Sequence, residues 1–186
     1  MTGGPPDAST YAAAFRRFAA QYFFIRRLTA LRKAFPVLHR SRFLVGAYNE
    51  ELDVKDVTWL APSGEEMTIE QWQDPNSRCL GMLLDGRAQA TGIKRRGSDA
   101  TLLMIYNAGH QEVGFVLPAV AEGRSWIGLV DTSAPEQETK EYAFEHPLTV
   151  ASRSFQMLVL SSTVAGTGLR HGLDAILYVA GTPLTG

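Results

Sequence analysis

The spacing of hydrophobic positions along the chain changes near residue 56. Before that point, apolar side chains recur every three or four residues, which predicts one long α-helix from about Ser9 to Phe35. Asp7, Ser9 or Thr10 can cap its start, and Pro36 ends it because proline disfavours helical geometry in the residue before it. The apolar stripe on this helix is unusually aromatic, and Phe23 and Phe24 widen it further, so we expect more than one face of the helix to be covered. Its positions are Tyr11, Phe15, Phe18, Tyr22, Ile25, Leu28 and Leu31.

From Asp56 onward the hydrophobic period is two, which is typical of β-strands. Seven short apolar runs, separated by Gly, Pro, Asn or Asp, predict a mainly β chain folded as an antiparallel β-sandwich behind the helix. Leu102, Met104 and Tyr106 are expected on one face of their strand. The turn at residues 107–111 is expected to join two of these runs as a β-hairpin. The runs are Val57–Leu60, Arg78–Leu84, Thr101–Asn107, Glu112–Leu117, Trp126–Asp131, Leu148–Ala151 and Ser154–Leu160.

Length and composition limit the class of protein. A chain of 186 residues suits one domain with an appendage, whereas a (β/α)-barrel needs roughly 250 residues. Hydrophobic residues make up 45% and charged residues 20%, as in a globular protein with a buried core. No apolar run approaches the ~20 residues of a membrane span, and the first residues lack the features of a signal peptide. We therefore expect a cytoplasmic protein with no membrane partner.

Charge is unevenly distributed between the two parts of the chain. Residues 1–42 hold eight basic residues against Asp7 alone, a net +7, so residues 43–186 carry −8 of the total charge of −1. The basic residues are spaced through the aromatic helical pattern instead of forming a dense tract. This spacing favours a solvated or partner-facing side of the helix over a nucleic-acid partner.

Two strings of residues resemble a known family. Asp56-Val-Thr-Trp-Leu-Ala-Pro-Ser-Gly64 fits an Asp-Val-x-Trp-x-x-Pro-x-Gly pattern, and Gly81-Met-Leu-Leu-Asp-Gly86 follows it. Both are similar to the segment behind the catalytic barrel of bacterial glycogen debranching enzymes of the isoamylase type, in the α-amylase superfamily. Arg27–Leu38 also resembles the last barrel helix of that superfamily. The resemblance covers about residues 24–160 and implies a parent enzyme that hydrolyses α-1,6 branch linkages in glycogen or its limit dextrins.

This resemblance implies three segments. Residues 1–42 are a helix left from the catalytic barrel, residues 43–160 are the C-terminal β-sandwich, and residues 161–186 are a tail to which the resemblance does not extend. The chain is then a cloned fragment, a product of a split gene or an incomplete reading frame.

Catalysis by this chain alone is not expected. Retaining glycosidases need two carboxyl groups about 5 Å apart, which the family places on its barrel, and the local signatures of those residues do not occur in the sequence. Asp53 and Asp56 are the pair that the sequence offers, but residues three apart in a strand point to opposite faces. We therefore assign no catalytic residue and predict that the isolated chain is inactive.

No metal or cofactor site is expected either. His39, His110, His146 and His171 are isolated from one another, without zinc-ligand spacing, and are interpreted as surface histidines. Cys79 lies in an apolar run and is interpreted as a small buried hydrophobic residue. Gly-Thr-Gly at 166–168 lacks the later glycine of a dinucleotide loop, and Lys94-Arg-Arg-Gly97 is interpreted as a solvated turn.

Aromatic side chains remain as possible sugar-binding platforms, because the C–H faces of pyranose rings stack on indole rings. Trp72 is the first candidate, since it lies in the polar connection Glu70-Gln-Trp-Gln-Asp-Pro75, and Trp59 is the second. For Trp59 and Trp126, which lie in strands, packing in the core is the competing interpretation. For Trp72 it is packing between barrel and sandwich.

Three functions are therefore considered. The first is the accessory C-terminal sandwich of a debranching enzyme, acting on an α-glucan through its parent. The others are a free-standing glucan-binding module, and a structural domain whose helix docks on another polypeptide. The aromatic helix favours docking over independent sugar binding, and self-association through that helix is the expected form of docking in the isolated chain.

Overall fold

The N-terminal segment of the fold is one uninterrupted helix, as predicted. The computed structural model describes residues 8–39, 43–46, 48–50, 54–88, 100–136 and 139–162. Helix α1 spans Ala8–Ala34 and is followed by a 3-10 turn at Pro36–His39. Arg32 and Lys33 lie in its last turn, where positive charge interacts favourably with the negative end of the helix dipole. Within the described residues, no helix is long and apolar enough to cross a membrane.

All seven predicted strands are present among the ten that the described residues form. Six strands make one antiparallel sheet in the order β3-β4-β5-β10-β7-β8, and β6 pairs with β9 in a second sheet. A short helix, α2 (Ile69–Gln73), connects β3 to β4. The strands are β1 (Tyr48–Asn49), β2 (Val54–Lys55), β3 (Val57–Leu60), β4 (Cys79–Asp85), β5 (Thr101–Asn107), β6 (Val113–Val116), β7 (Gly123–Asp131), β8 (Glu141–Tyr142), β9 (Pro147–Val150) and β10 (Ser154–Ser162).

The central part of the six-stranded sheet is covered on both faces, which explains why its central strands are mostly apolar. On one face, Leu103 and Ile105 of β5 pack with residues of the β6–β9 sheet such as Phe115. On the other face, Leu102 and Met104 pack with the C-terminal part of α1. The layers are thus helix, six-stranded sheet and two-stranded sheet, and the predicted β-sandwich with one long helix is confirmed.

The predicted hairpin between β5 and β6 is wrong. β5 pairs with β4 on one side and with β10 on the other, while β6 lies in the second sheet. Because both edges of β5 are already paired, the turn at residues 107–111 must carry the chain from one sheet to the other. The predicted sharing of one face by Leu102, Met104 and Tyr106 holds, since their neighbours on β4 and β10 form one apolar surface.

Asn107 fixes that crossover from inside the molecule. Its buried amide nitrogen Nδ2 donates to the carbonyl oxygens of Gln111, Val150 and Ala151, at 2.8, 3.2 and 3.0 Å. Its Oδ1 accepts a hydrogen bond from the Gly109 amide at 2.9 Å. One side chain therefore joins the end of β5, the crossover and the end of β9.

We expect Asn107→Ala to lower the free energy of unfolding by about 2–3 kcal/mol, since it leaves buried backbone groups without their partner. Urea unfolding followed by circular dichroism measures the change. Asn76→Ala is the matched control, because Asn76 is exposed, and it should change stability by less than about 0.5 kcal/mol. Equal effects of the two substitutions would contradict this role of Asn107.

Helix α1 is divided between the core and solvent. Leu31 and Phe35 are buried against the six-stranded sheet, together with Val37 behind them, and Phe24 and Leu28 are partly buried there. The N-terminal part of the predicted stripe is 55–75% exposed in the chain by itself; it consists of Tyr11, Phe15, Phe18, Tyr22 and Ile25. A 27-residue helix is about 40 Å long, so the exposed part extends well away from its buried end.

The two sequence strings that carry the family resemblance have structural roles. Gly64 has φ of +83°, and a Cβ there would lie 2.6 Å from the Val116 carbonyl oxygen. A Cβ on Gly81 would lie 2.5 Å from Cζ of the buried Phe115. Both glycines thus let the β3–α2 turn and β4 approach β6 closely.

Candidate functional site

The two candidate sugar-binding residues lie side by side. Trp59 is on β3, at the edge of the six-stranded sheet, and Trp72 is on α2. Their ring centroids are 5.6 Å apart and the ring planes meet at 78°, a favourable edge-to-face arrangement. Trp59 is 36% and Trp72 51% exposed, so the two indoles form an open corner on the surface. We call this pair the tryptophan corner.

The corner is positioned by backbone hydrogen bonds. Met67 donates its amide to the Trp59 carbonyl at 2.8 Å, which fixes the chain beside β3. Thr68 then begins α2 with a capping box, in which the Gln71 amide donates to Thr68 Oγ1 and the Thr68 amide donates to Gln71 Oε1. No residue of α2 is buried. The helix is therefore held by its caps and by the Trp72–Trp59 ring contact.

A second pair of aromatic rings lies on the same sheet face. Trp59 is opposite Met82 on β4, and Met82 is opposite Met104 on β5, so these side chains share one face. Tyr106, two residues along β5, continues that face and is partly exposed. Its ring lies 5.0 Å from that of Phe155 on β10. The part of this face that α1 leaves open thus carries rings on β3, β5 and β10.

Polar side chains surround Trp72 in the chain. Glu70, Gln73 and Asp74 are all exposed. A hydrogen bond with the Thr68 side chain, followed by one with the backbone, lowers the pKa of Glu70, so its carboxyl is ionised at neutral pH. Asp74 accepts a hydrogen bond from the Asn76 amide and ends α2 in a turn. The corner therefore has an anionic and amide-bearing rim.

The carboxylates buried in the sandwich are held by structural contacts. Asp56 lies in the bend before β3 and accepts a hydrogen bond from the Val45 amide at 3.3 Å; its proposed companion Asp53 lies outside the described residues. Asp85 binds Arg87 at 2.6 Å, and this hydrogen bonding raises the pKa of the guanidinium. Arg87 also contacts Glu122 at 2.8 Å. These groups join loops to the sheet.

The other candidates from the sequence show no reactive geometry in the described residues. His39, His110 and His146 are exposed, and no group of three or more His, Cys, Asp or Glu residues in the described ranges is placed to hold a metal ion. Cys79 is buried, which raises the pKa of its thiol to about 11, so it is protonated at neutral pH. His171, Lys94-Arg-Arg-Gly97, the Gly-Thr-Gly at 166–168 and the tail from residue 163 lie outside the described residues.

Trp126 and Trp59 differ in burial. Trp126 is fully buried in the core between the sheets, and its Nε1 donates to the Pro118 carbonyl at 2.9 Å. Core packing is therefore confirmed for Trp126 but not for Trp59, which lies on an edge strand. The sequence misses Tyr106 as a companion of the corner, because only the strand register places it on the same face.

Comparisons with known proteins agree with this architecture. The sequence model described as "Isoamylase, C-terminal" matches residues 56–159, which covers more than half of the chain and nearly all of the sandwich. The glycogen operon protein GlgX homolog of Mycobacterium tuberculosis is 39% identical over 116 residues, which is 60% of this chain and 16% of the relative. The isoamylase of Pseudomonas amyloderamosa is 28% identical over 111 residues, 60% of this chain and 12% of the relative.

A plant relative shows the same partial coverage. The chloroplastic isoamylase 2 of rice is 28% identical over 110 residues, 59% of this chain and 13% of that protein. The chain thus spans less than a fifth of the length of these curated relatives. Since the family match follows the sandwich from its first main strand to its last, the chain belongs to the isoamylase C-terminal family.

Proposed function

We propose that this chain is the accessory C-terminal β-sandwich of a cytoplasmic glycogen debranching enzyme. In this proposal, residues outside the chain hydrolyse the α-1,6-glucosidic branch linkages of glycogen or limit dextrin. The observation that carries it is the family match to residues 56–159, which coincides with the sandwich, while the matched segments make up only 12–16% of the relatives. The sandwich then supports a catalytic domain.

The chemistry of the described residues supports an accessory role. Asp85 is bound to Arg87, and Asp131 accepts hydrogen bonds from Ser133 and Gln156. The oxygens of these carboxylates are already occupied by partners, whereas the acid of a retaining glycosidase must hold a proton beside a second carboxyl. The sandwich therefore fits a supporting role better than a catalytic one.

An exchange experiment tests this function. We expect the isolated chain, incubated with glycogen limit dextrin, to release reducing ends at the background rate. When residues 56–159 replace the matched segment of the Pseudomonas amyloderamosa isoamylase, the hybrid should keep its activity, whereas the same isoamylase cut before that segment should lose it. Turnover by the isolated chain that disappears in Asp56→Asn would contradict the proposal, as would an inactive hybrid that folds.

The partner of helix α1 is a second part of the proposal. For the isolated chain we propose a second copy of the same chain, because exposed apolar surface of this extent is unusual on a monomer. The charge of +7 on residues 1–42 complements the −8 on the remainder, so the helix of one copy is attracted to the sandwich of the other. By the family resemblance, the barrel takes this place in the parent enzyme.

A free-standing glucan-binding module is the second candidate function. The tryptophan corner favours it, because exposed indole rings beside polar groups are what a sugar site requires. A purely structural interaction domain would need the helix but not the corner. Substitutions in the two places therefore separate these functions.

A further inference from the structure

We propose that the tryptophan corner, with Tyr106 as a neighbouring platform, is a binding subsite for an α-glucan chain. The identity of the sugar rests on the proposed function, whereas the existence of a sugar site rests on the geometry. Such a subsite would hold the polysaccharide on the surface of the sandwich.

The first argument is the exposure of the two indoles. Large aromatic side chains gain most when they are buried, and the sandwich buries Trp126 completely. Trp59 and Trp72 instead contact each other edge to face, which leaves ring surface open to solvent on each. An indole face is matched by the C–H face of a pyranose ring, so the corner can receive two faces of one sugar chain.

The second argument is the supply of hydrogen-bonding groups. Unlike Trp126, neither Trp59 nor Trp72 donates its indole N–H to another group among the described residues. Glu70 and Gln73 are exposed on the same helix as Trp72. Sugar hydroxyls are both donors and acceptors, and need partners of both kinds around the apolar platform. The corner and its rim offer them.

The third argument is preorganisation. Helix α2 has no buried residue, yet a capping box and the Met67–Trp59 hydrogen bond fix it beside the sheet. Burial in the core therefore does not account for the ordered position of α2. This ordered position sets the angle between the two exposed indole rings. A site that is already ordered loses less conformational entropy when a ligand binds.

A second platform lies within reach of an oligosaccharide. Tyr106 is on β5, two strands away from β3, and neighbouring strands are about 4.8 Å apart, so it lies roughly 10 Å across the sheet from Trp59. Both side chains are on the same face. A linear ligand that spans several sugar units can touch the corner and Tyr106 together, and should bind more tightly than a disaccharide.

The indole N–H signals in a nitrogen–proton correlation spectrum test this site directly. The chain has three tryptophans, and on titration with maltoheptaose we expect the Trp59 and Trp72 signals to shift with a Kd on the order of 1 mM. The Trp126 signal should stay in place, because that indole is buried and bound to Pro118. Cellohexaose is the control that tests whether binding depends on the type of linkage between the glucose units.

Variants complete the test. Trp72→Ala should weaken maltoheptaose binding at least about tenfold, and Tyr106→Ala by a smaller factor, while Phe18→Ala on α1 leaves binding unchanged. An unaltered Trp126 signal shows that each variant is folded. The proposal is overturned if maltoheptaose shifts neither the Trp59 nor the Trp72 indole signal, or if Trp72→Ala leaves the affinity for maltoheptaose unchanged. It is also overturned if cellohexaose binds as tightly as maltoheptaose. The titration measures binding and the isoamylase hybrid measures hydrolysis, so the two proposals can fail separately. The chain can fail to bind maltoheptaose while the hybrid remains active, or bind it while the hybrid is inactive.

Discussion

Phe35→Ala is expected to lower the free energy of unfolding by about 3–5 kcal/mol, a large part of the stability of a domain this size. Phe35 is 3% exposed and packs with Leu31 and Val37 on the outer face of the six-stranded sheet. Removing its ring opens a cavity between helix and sheet that the rigid sheet cannot fill. Chemical denaturation followed by tryptophan fluorescence measures the change, since Trp126 lies in the neighbouring core.

The same substitution on the same helix gives the control. Phe18 is 75% exposed, so Phe18→Ala should change the free energy of unfolding by less than about 0.5 kcal/mol. The comparison holds the residue type and the loss of side-chain volume constant, and differs only in burial. Similar losses for both variants would show that α1 does not pack through its C-terminal part.

Self-association should depend on the opposite end of α1. We expect sedimentation of the chain to show a dimer, and Phe15→Ser with Phe18→Ser to weaken dimerisation at least about a hundredfold, because two aromatic anchors each contribute about 2 kcal/mol or more. Both side chains are exposed in the single chain, so the substitutions leave its core intact. Raised salt should also weaken the dimer, since the attraction between helix and sandwich is screened.

Helix α1 cannot be deleted to test this dimer, because its C-terminal part belongs to the core. Removing everything before Val37 would delete Leu31 and Phe35 from the core, so loss of the dimer would then reflect unfolding. Point substitutions on the exposed stripe avoid this. Ile69→Ser is the matched control, because Ile69 is an exposed aliphatic residue on α2, away from the stripe. A wild-type chain that sediments as a monomer, or a dimer that survives both serines, would refute the proposed contact.

Most of the secondary structure follows from local patterns. The change in hydrophobic period locates α1 and seven strands, with Val57–Leu60 and Thr101–Asn107 predicted to the residue. The strands that extend beyond their predicted ends do so where backbone pairing continues past the apolar run. β7, for example, begins at Gly123, where Gly123 and Ser125 still pair with β10 although their sequence is polar.

Strand pairing could not be read from the same patterns. The segment between β5 and β6 has a length and a glycine that fit a hairpin, but pairing depends on which strands have free edges. Both edges of β5 are occupied, one by the preceding strand β4 and the other by β10 near the end of the sandwich, and Asn107 binds carbonyls 43 and 44 residues away. Contacts at that separation leave no local signal.

The sequence points to only some residues of the candidate site. The polar surroundings of Trp72 make it the first candidate, and Trp59 is the second although its strand suggests the core. What decides the exposure of Trp59 is the position of β3 at the sheet edge, which a single strand does not reveal. Tyr106 has the same alternation as its buried neighbours Leu102 and Met104, and lies in solvent because α1 crosses the sheet without covering it.

Helix α1 also sets a mechanical constraint. Its 27 residues contain neither glycine nor proline, and its last turns are embedded in the core of the sandwich. A helix without glycine or proline has no site for a sharp kink, so it behaves as a rigid rod whose C-terminal end is fixed in the core. A partner that packs on the exposed N-terminal part of α1 is therefore restricted in its position relative to the sheet. Movement of that partner would shift the whole helix against the sheet, because α1 contains no hinge.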